Sequence, residues 1–311
     1  SPVQLYALNN FKVAPSTSWG YIYAGPSLAK AQTRAPKVAY LEQKSKFVVT
    51  YQNFPEWAKK DFQAAVDVWG ANFKSSVPVT IEATWNRVAA DGVLGSARPG
   101  DYYSGFDGAP DPSLWYPSAL ANALAGKDLE PENPEMVIQV NSLAQWNTRG
   151  DGAPKLTEYD LQSVFLHEMG HGLGFLSTDS YDQFFGYGTI EQPTPYDAYA
   201  QLPDGRRLAD MPSPSLEAGK AMTSDLVWSG ENAVKANNGI KPKLYTPSTY
   251  EPGSSISHLD EATFSQSVDN AVMTPNLDSG EVFHLPGPLV LAMFEDMRQK
   301  PPAGIAAGTP Q

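Results

Sequence analysis

Apolar and polar positions follow two periods along this chain, and the switches between them mark its elements. Phe47-Val-Val-Thr-Tyr51 is a short apolar run stopped by Asn53 and Pro55, the pattern of a strand. After Pro55, residues Ala58, Phe62, Ala65, Val66 and Trp69 recur every three or four positions, which places them on one face of a helix closed by Gly70. Val79, Ile81, Ala83 and Trp85 then alternate with Thr80, Glu82 and Thr84, a two-residue period that predicts a half-buried strand. Met136-Val-Ile-Gln-Val140 predicts another strand, either interior or an edge along which an extended peptide could add by backbone hydrogen bonds. Leu289, Val290, Met293 and Met297 follow Pro288 at helical spacing and predict a helix over 286–297.

The intervening stretches are less patterned. Residues 91–134 are rich in Gly, Pro, Asp and Tyr and read as long surface loops. Residues 1–45 show no sustained periodicity and read as an N-terminal extension, a residual pro-segment or a lid. Residues 301–311, with Pro, Gly and Ala, read as a frayed tail.

Composition narrows the chemistry. A formal net charge of -12 without a basic cluster disfavours nucleic acid and anionic membranes as partners. The chain has no cysteine, which excludes disulfides, thiolate metal ligands and a cysteine nucleophile, so any metal must be held by His, Asp or Glu. No apolar run reaches the ~18 residues of a membrane span. The start lacks a charged segment followed by an apolar one, and the sequence as given reads as mature or trimmed.

One segment carries chemistry. Thr157 with Asp160 resembles a helix start, and Leu161, Val164 and Phe165 continue at helical spacing, which predicts a helix over 158–172. Within it stands His167-Glu168-Met169-Gly170-His171. Residues four apart lie one turn apart on the same face, so both imidazoles can address one ion, and zinc suits two neutral imidazole nitrogens. Glu168, next to the first ligand, is placed to accept a proton from an activated water and return it to a leaving amine. Gly172 and Gly174 end the helix and allow the chain to reverse. A histidine pair can also fall at this spacing by chance, so the continuation matters.

A third ligand is needed. The short metzincin signature would place His or Asp at position 177, but Ser177 stands there, leaving Asp179, His258 and His284 as candidates. On chemistry alone an imidazole is the stronger zinc ligand than Asp179. Asp179 reads as a turn residue, and His284, beside Phe283, as structural or part of a cleft wall.

Ser257-His258-Leu-Asp260 followed by Asn270-Ala-Val-Met273-Thr-Pro275 resembles the downstream half of the leishmanolysin-type metzincins, in which an insertion separates the second and third histidines. The likeness extends from about residue 46 to 298 toward bacterial secreted members of that group, through Gly92-Val-Leu-Gly-Ser-Ala97, Trp115-Tyr-Pro-Ser-Ala-Leu120 and Asp225-Leu-Val-Trp228. The resemblance implies an α+β, two-lobed zinc protease. Residues 46–175 would form the upper catalytic lobe, with a mixed twisted sheet and the zinc helix. Residues 176–300 would form the lower lobe, with the insertion, the third ligand, the Met-turn and a C-terminal helix.

His167, His171 and His258 would hold one catalytic Zn²⁺, Glu168 would be the general base, and Met273 would lie beneath the metal. Thr274, Pro275, Asn276 and Leu277 would line the pocket for the side chain after the scissile bond. The resemblance also implies a monomeric, secreted endopeptidase acting on protein or peptide substrates. The absence of cysteine departs from the disulfide-rich family and leaves no thiol to block the zinc. Calcium could take the place of disulfides, with Phe106-Asp-Gly108 and Gly150-Asp-Gly152 as candidate oxygen donors, though such stretches are commonly plain turns. Two other classes remain as rivals: a zinc-containing binding or adhesion module on a protease scaffold, and a zinc hydrolase of a non-peptide bond.

Overall fold

The structure, a computed structural model, describes residues 4–6, 10–28, 42–88, 90–267 and 269–305. In chain order the first half forms β1 (Gln4–Tyr6), β2 (Phe11–Pro15), β3 (Gly20–Leu28), β4 (Phe47–Gln52), α1 (Glu56–Asn72), β5 (Val79–Asn86), β6 (Val93–Pro99), β7 (Asp101–Ser104), β8 (Tyr116–Pro117), α2 (Ser118–Ala125), β9 (Met136–Asn141) and α3 (Leu161–Leu173). The second half forms β10 (Asp179–Tyr181), β11 (Gly188–Ile190), α4 (Pro195–Tyr199), β12 (Ala200–Gln201), α5 (Leu216–Met222), β13 (Val227–Trp228), α6 (Glu231–Ala236), α7 (Glu261–Phe264), β14 (Asn276–Ser279) and α8 (Gly287–Met297). This is an α+β architecture built on a mixed sheet.

Six strands make that sheet, in the order β14-β3-β6-β9-β5-β4. β4, β5 and β9 run parallel, β6 is antiparallel to both β9 and β3, and β14 returns parallel to β3. Alternation in β5 and β9 sends Val79, Ile81, Ala83, Met136, Ile138 and Val140 into the core. α1 and α3 pack there, joined by Trp69 Nε1 donating to the Leu166 carbonyl at 2.9 Å and by the Phe62 and Phe165 rings at 4.4 Å. Each fully buried aromatic on this interface contributes about 1.5–3 kcal/mol of apolar transfer free energy.

One expectation changes. Residues 91–134 are not long surface loops: they contain β6, β7, β8 and α2. β6 is buried on both faces, with Arg98 alone partly open, so it shows no polar alternation, and its Gly, Ser and Ala imitate a loop composition. Of the two alternatives for Met136–Asn141 the structure shows the interior strand, flanked by β6 and β5.

Residues 1–45, for all their lack of periodicity, supply β2, which pairs with β7, and β3, which enters the main sheet. Residues 1–3, 7–9 and 29–41 of that span, and 306–311 of the expected tail, lie outside the described residues.

After α3 the chain builds a second layer around a stack of aromatic rings. Phe175 meets Tyr196 at 5.0 Å, and Trp228 meets both Tyr196 and Tyr199 at 5.0 Å. Asp296 of α8, buried at 2% exposure, accepts from Trp228 Nε1 at 2.9 Å, Asn232 N at 2.9 Å and Ala233 N at 3.1 Å, and so locks α6 and the tryptophan to α8. Asp296→Ala strands two buried donors and a partly buried one, and is expected to cost about 2–3 kcal/mol. Urea-unfolding midpoints of the two proteins measure this; an unchanged midpoint would show that Asp296 is not the lock.

Candidate metal centre

α3 begins where Asp160 accepts hydrogen bonds from Ser163 N at 3.1 Å and Ser163 Oγ at 2.5 Å, an N-cap that fixes the start of the helix. The cap lies at Asp160, and Thr157 is outside it. Gly174 ends the helix at φ 128°, a conformation closed to residues with a Cβ, and the chain turns so that Phe175 N reaches the Gly170 carbonyl at 2.9 Å. Every residue of α3 except Gln162 is buried. His167 and His171 therefore project from a fixed scaffold.

His258 comes from a loop held at several points. Tyr196 Oη donates to the Ile256 carbonyl at 2.7 Å, and Ser177 N donates to Ser257 Oγ at 3.0 Å. Ile256 is buried at φ 68°, a strained conformation for a β-branched residue, of the kind that surrounding structure must enforce. Ser177, at the position where a short signature would carry a ligand, also donates to Asp197 Oδ1 at 2.5 Å, so it anchors the loop that delivers His258.

The three imidazoles converge. Their Nε2 atoms stand 3.0, 3.1 and 3.3 Å apart, and all three residues are fully buried. Each Nδ1 faces a backbone carbonyl: His167 to Val272 at 2.6 Å, His171 to Phe175 at 2.6 Å, His258 to Ser254 at 2.8 Å. A carbonyl oxygen only accepts, so Nδ1 carries the proton in His167 and His171 and their Nε2 lone pairs turn inward; His258 lies between two carbonyls, Ser254 at Nδ1 and Tyr21 at Nε2, and its Nε2 lone pair faces inward in the Nδ1-protonated tautomer. Burial, the main cause in each case, pushes His167 down to about 3 and His258 to about 4, and holds His171 well below its ordinary range, which keeps the rings neutral.

A fourth donor points at the same place. The Tyr21 carbonyl oxygen lies 2.7 Å from His258 Nε2 and 3.4 Å from His167 Nε2. Four electron-rich atoms facing one another without a proton repel unless a cation sits among them. Nitrogens bound at about 2.0–2.1 Å to a tetrahedral zinc stand roughly 3.3 Å apart, close to the spacing here, so the residues fit that ion. The carbonyls that accept from Nδ1 fix each ring's tautomer and rotation, as outer partners of metal-bound histidines commonly do.

Beneath the triad, fully buried Met273 packs its sulfur against α3 at Gly170, where a Cβ would stand 2.7 Å from Sδ. Its neighbour Val272 supplies the carbonyl for His167, and Met273 O accepts from Leu259 N at 2.9 Å. The segment around Met273 thus orients two of the three histidine-bearing elements. Glu168 is fully buried, and neither carboxylate oxygen has a hydrogen-bond partner. Burial raises its pKa well above the ordinary carboxylate range.

The other candidates stand apart from this cluster. Asp179 is not a turn residue: it heads β10 and accepts from Tyr250 Oη at 2.5 Å. His284 donates from Nε2 to Asp160 at 2.7 Å and braces the helix start. Asp151 in Gly150-Asp-Gly152 accepts from Asn147 Nδ2 at 2.7 Å and Ala153 N at 3.0 Å, the bonding of a turn. Phe106-Asp-Gly108 is likewise a turn, closed by Ala109 N to the Phe106 carbonyl at 3.1 Å. Among the described residues, the group whose ligand atoms converge is His167, His171 and His258.

Sequence reasoning missed Tyr21. The signal was the alternation of Tyr21 and Tyr23 with Ile22 and Ala24, too short to stand out within an unpatterned span. Comparison with protein-family models, curated proteins and solved structures finds no match to this chain.

Isothermal titration of the metal-free protein with zinc is expected to give one site per chain, weakened at least ~100-fold by His258→Ala or His171→Ala. Asp179→Ala is expected to leave it unchanged. Wild-type affinity in the folded His258→Ala variant would remove the third ligand.

Proposed function

We propose that this protein is a zinc-dependent endopeptidase of leishmanolysin-like metzincin type, with His167, His171 and His258 as metal ligands and Glu168 as general base. The observation that carries the reading is the unpaired, fully buried side chain of Glu168, next in the chain to the first of three histidines whose Nε2 atoms converge. A carboxylate with no partner in a dry site costs several kcal/mol unless a ligand or a reaction uses it.

Zinc, when bound, would supply Lewis acidity toward a substrate carbonyl and make a water nucleophilic near neutral pH. The chain's own groups do the rest. The three imidazoles hold fixed positions because each Nδ1–H is already committed to a carbonyl. Glu168 accepts a proton from the attacking water and delivers it to the amide nitrogen that leaves. Met273 backs the helix from the apolar side and excludes water there. In this reading α1, α3 and the six-stranded sheet form the upper lobe of a two-lobed protease, and the layer built on Trp228 forms the lower lobe.

Secretion, a monomeric state and protein or peptide substrates belong to the same proposal. No helix among the described residues is long and apolar enough to cross a membrane.

A second reading, a non-catalytic metal-containing binding module, draws on the Tyr21 carbonyl, which closes the donor set as a structural site would. It leaves Glu168 without a role. Glu168→Gln decides between them: zinc affinity is expected to hold within about 3-fold while hydrolysis of a denatured protein falls 10²–10⁴-fold, about the contribution of a general base. A protein that binds zinc and cleaves no denatured protein, both as wild type and with the strand next to the triad loosened by Ile22→Ala, would contradict the endopeptidase reading.

A further inference from the structure

We propose that β3 is a built-in occupant of the peptide-binding cleft of this metal centre, and that the cleft takes an extended peptide in the direction of β3, with a branched aliphatic side chain at the seat now filled by Ile22. The proposal rests on the peptidase reading for what the cleft is for, and on the place of β3 between β6 and β14, with the Tyr21 carbonyl at the triad, for its occupancy.

β3 is held as a peptide is held by strand addition, through its backbone on both sides. It pairs antiparallel with β6, Gly20 opposite Ala97 and Ile22 opposite Gly95. On the other side it runs parallel to β14, and Tyr23 N donates to the Pro275 carbonyl at 3.0 Å. Tyr21 N donates to the Gly253 carbonyl at 3.0 Å. These partners flank the histidine loop and the segment after Met273, so the groove that grips β3 is made by the same pieces that build the metal centre.

The strand's side chains divide by face. Tyr21 and Tyr23 lie together on one face, rings 6.0 Å apart, and remain partly exposed. Gly20 and Ile22 lie on the other, by the two-residue period of a strand. A Cβ at Gly20 would collide with the His171 imidazole, so the strand approaches the ligands at a distance only glycine permits. Ile22 is fully buried. The groove therefore reads the backbone plus one apolar side chain, the division of labour in strand-addition recognition.

The register places the chemistry. The carbonyl directed into the triad belongs to Tyr21, so the peptide unit over the metal centre is Tyr21–Ile22, and Ile22 is the residue that follows it. Glu168 lies by the same unit: a Cβ on Gly95, the residue opposite Ile22, would stand 3.4 Å from Glu168 Cγ. A buried carboxylate without a partner is what remains when an occupant seals a site and leaves no solvent to face it. β3 therefore closes the cleft and displays the substrate pattern: glycine two places before the residue that enters the apolar seat, and Ile, Leu or Val in that seat.

The test uses the full chain and a fluorescein-labelled synthetic peptide of residues 18–25, read by anisotropy in both metal-free and zinc-loaded protein. Ile22→Asp makes the buried seat unfavourable for the chain's own strand, and Ile22→Ala is the milder partner variant. Both variants, folded by circular dichroism, are expected to bind the peptide at least ~tenfold more tightly than wild type, whose cleft is filled. The same peptide carrying Ile22→Asp is expected to lose that binding. Equal binding by wild type and variants, indifference to the residue at the Ile22 position, or loss of the folded state in both variants would make β3 a permanent core strand and overturn the proposal. Because binding is read without metal, failure of the Ile22 variants, whose cleft is open, to take up zinc or hydrolyse protein sinks the peptidase reading alone. Hydrolysis by wild type with no peptide capture by either variant sinks this inference alone.

Discussion

Three neutral imidazoles turn their lone pairs on one point, and much of the fold exists to keep them there. Left to themselves, electron-rich atoms about 3 Å apart would move away from one another or bind protons. Here they can do neither. Each Nδ1–H is held by a carbonyl from a different stretch of chain, at Val272, Phe175 and Ser254, and full burial removes the water that would stabilise a charged ring. Such an arrangement suits a cation, whose binding would relieve the repulsion among the lone pairs.

The elements can be ranked by their distance from that constraint. α3 carries two of the ligands and is buried almost all round, with α1 locked to it through Trp69. Gly174 turns the chain so that Phe175 can present its carbonyl to His171. The aromatic stack of Phe175, Tyr196, Trp228 and Tyr199 then stiffens the layer from which Tyr196 fixes Ile256 and, two residues on, His258. A residue as far from the ligands as Asp296 takes part, because it holds Trp228 in that stack.

The sequence made some of this legible and hid the rest for identifiable reasons. α1, β5 and α8 announced themselves because each has one buried and one open face, and polarity follows the element's period only when the two faces differ; β4 and β9 showed as short apolar runs. β6 is buried on both sides and built from small residues, so it read as loop. The helix of the metal centre was found by chemistry more than by pattern, since a helix buried all round has no polar face to set its period. His258 was accessible through its neighbours in sequence, Ser257 and the Asn270–Pro275 segment. β3 was not, because its pairing with β6 and β14 joins positions far apart in the chain, and its contribution to the metal centre is a backbone carbonyl, which leaves no residue type to notice.

If the triad is a metal centre, the zinc-loaded protein must show it at the metal itself. X-ray absorption at the zinc edge is predicted to give three imidazole nitrogens at about 2.0–2.1 Å and one oxygen. A spectrum with fewer than three imidazoles, or a folded protein that retains no zinc to measure, would contradict it.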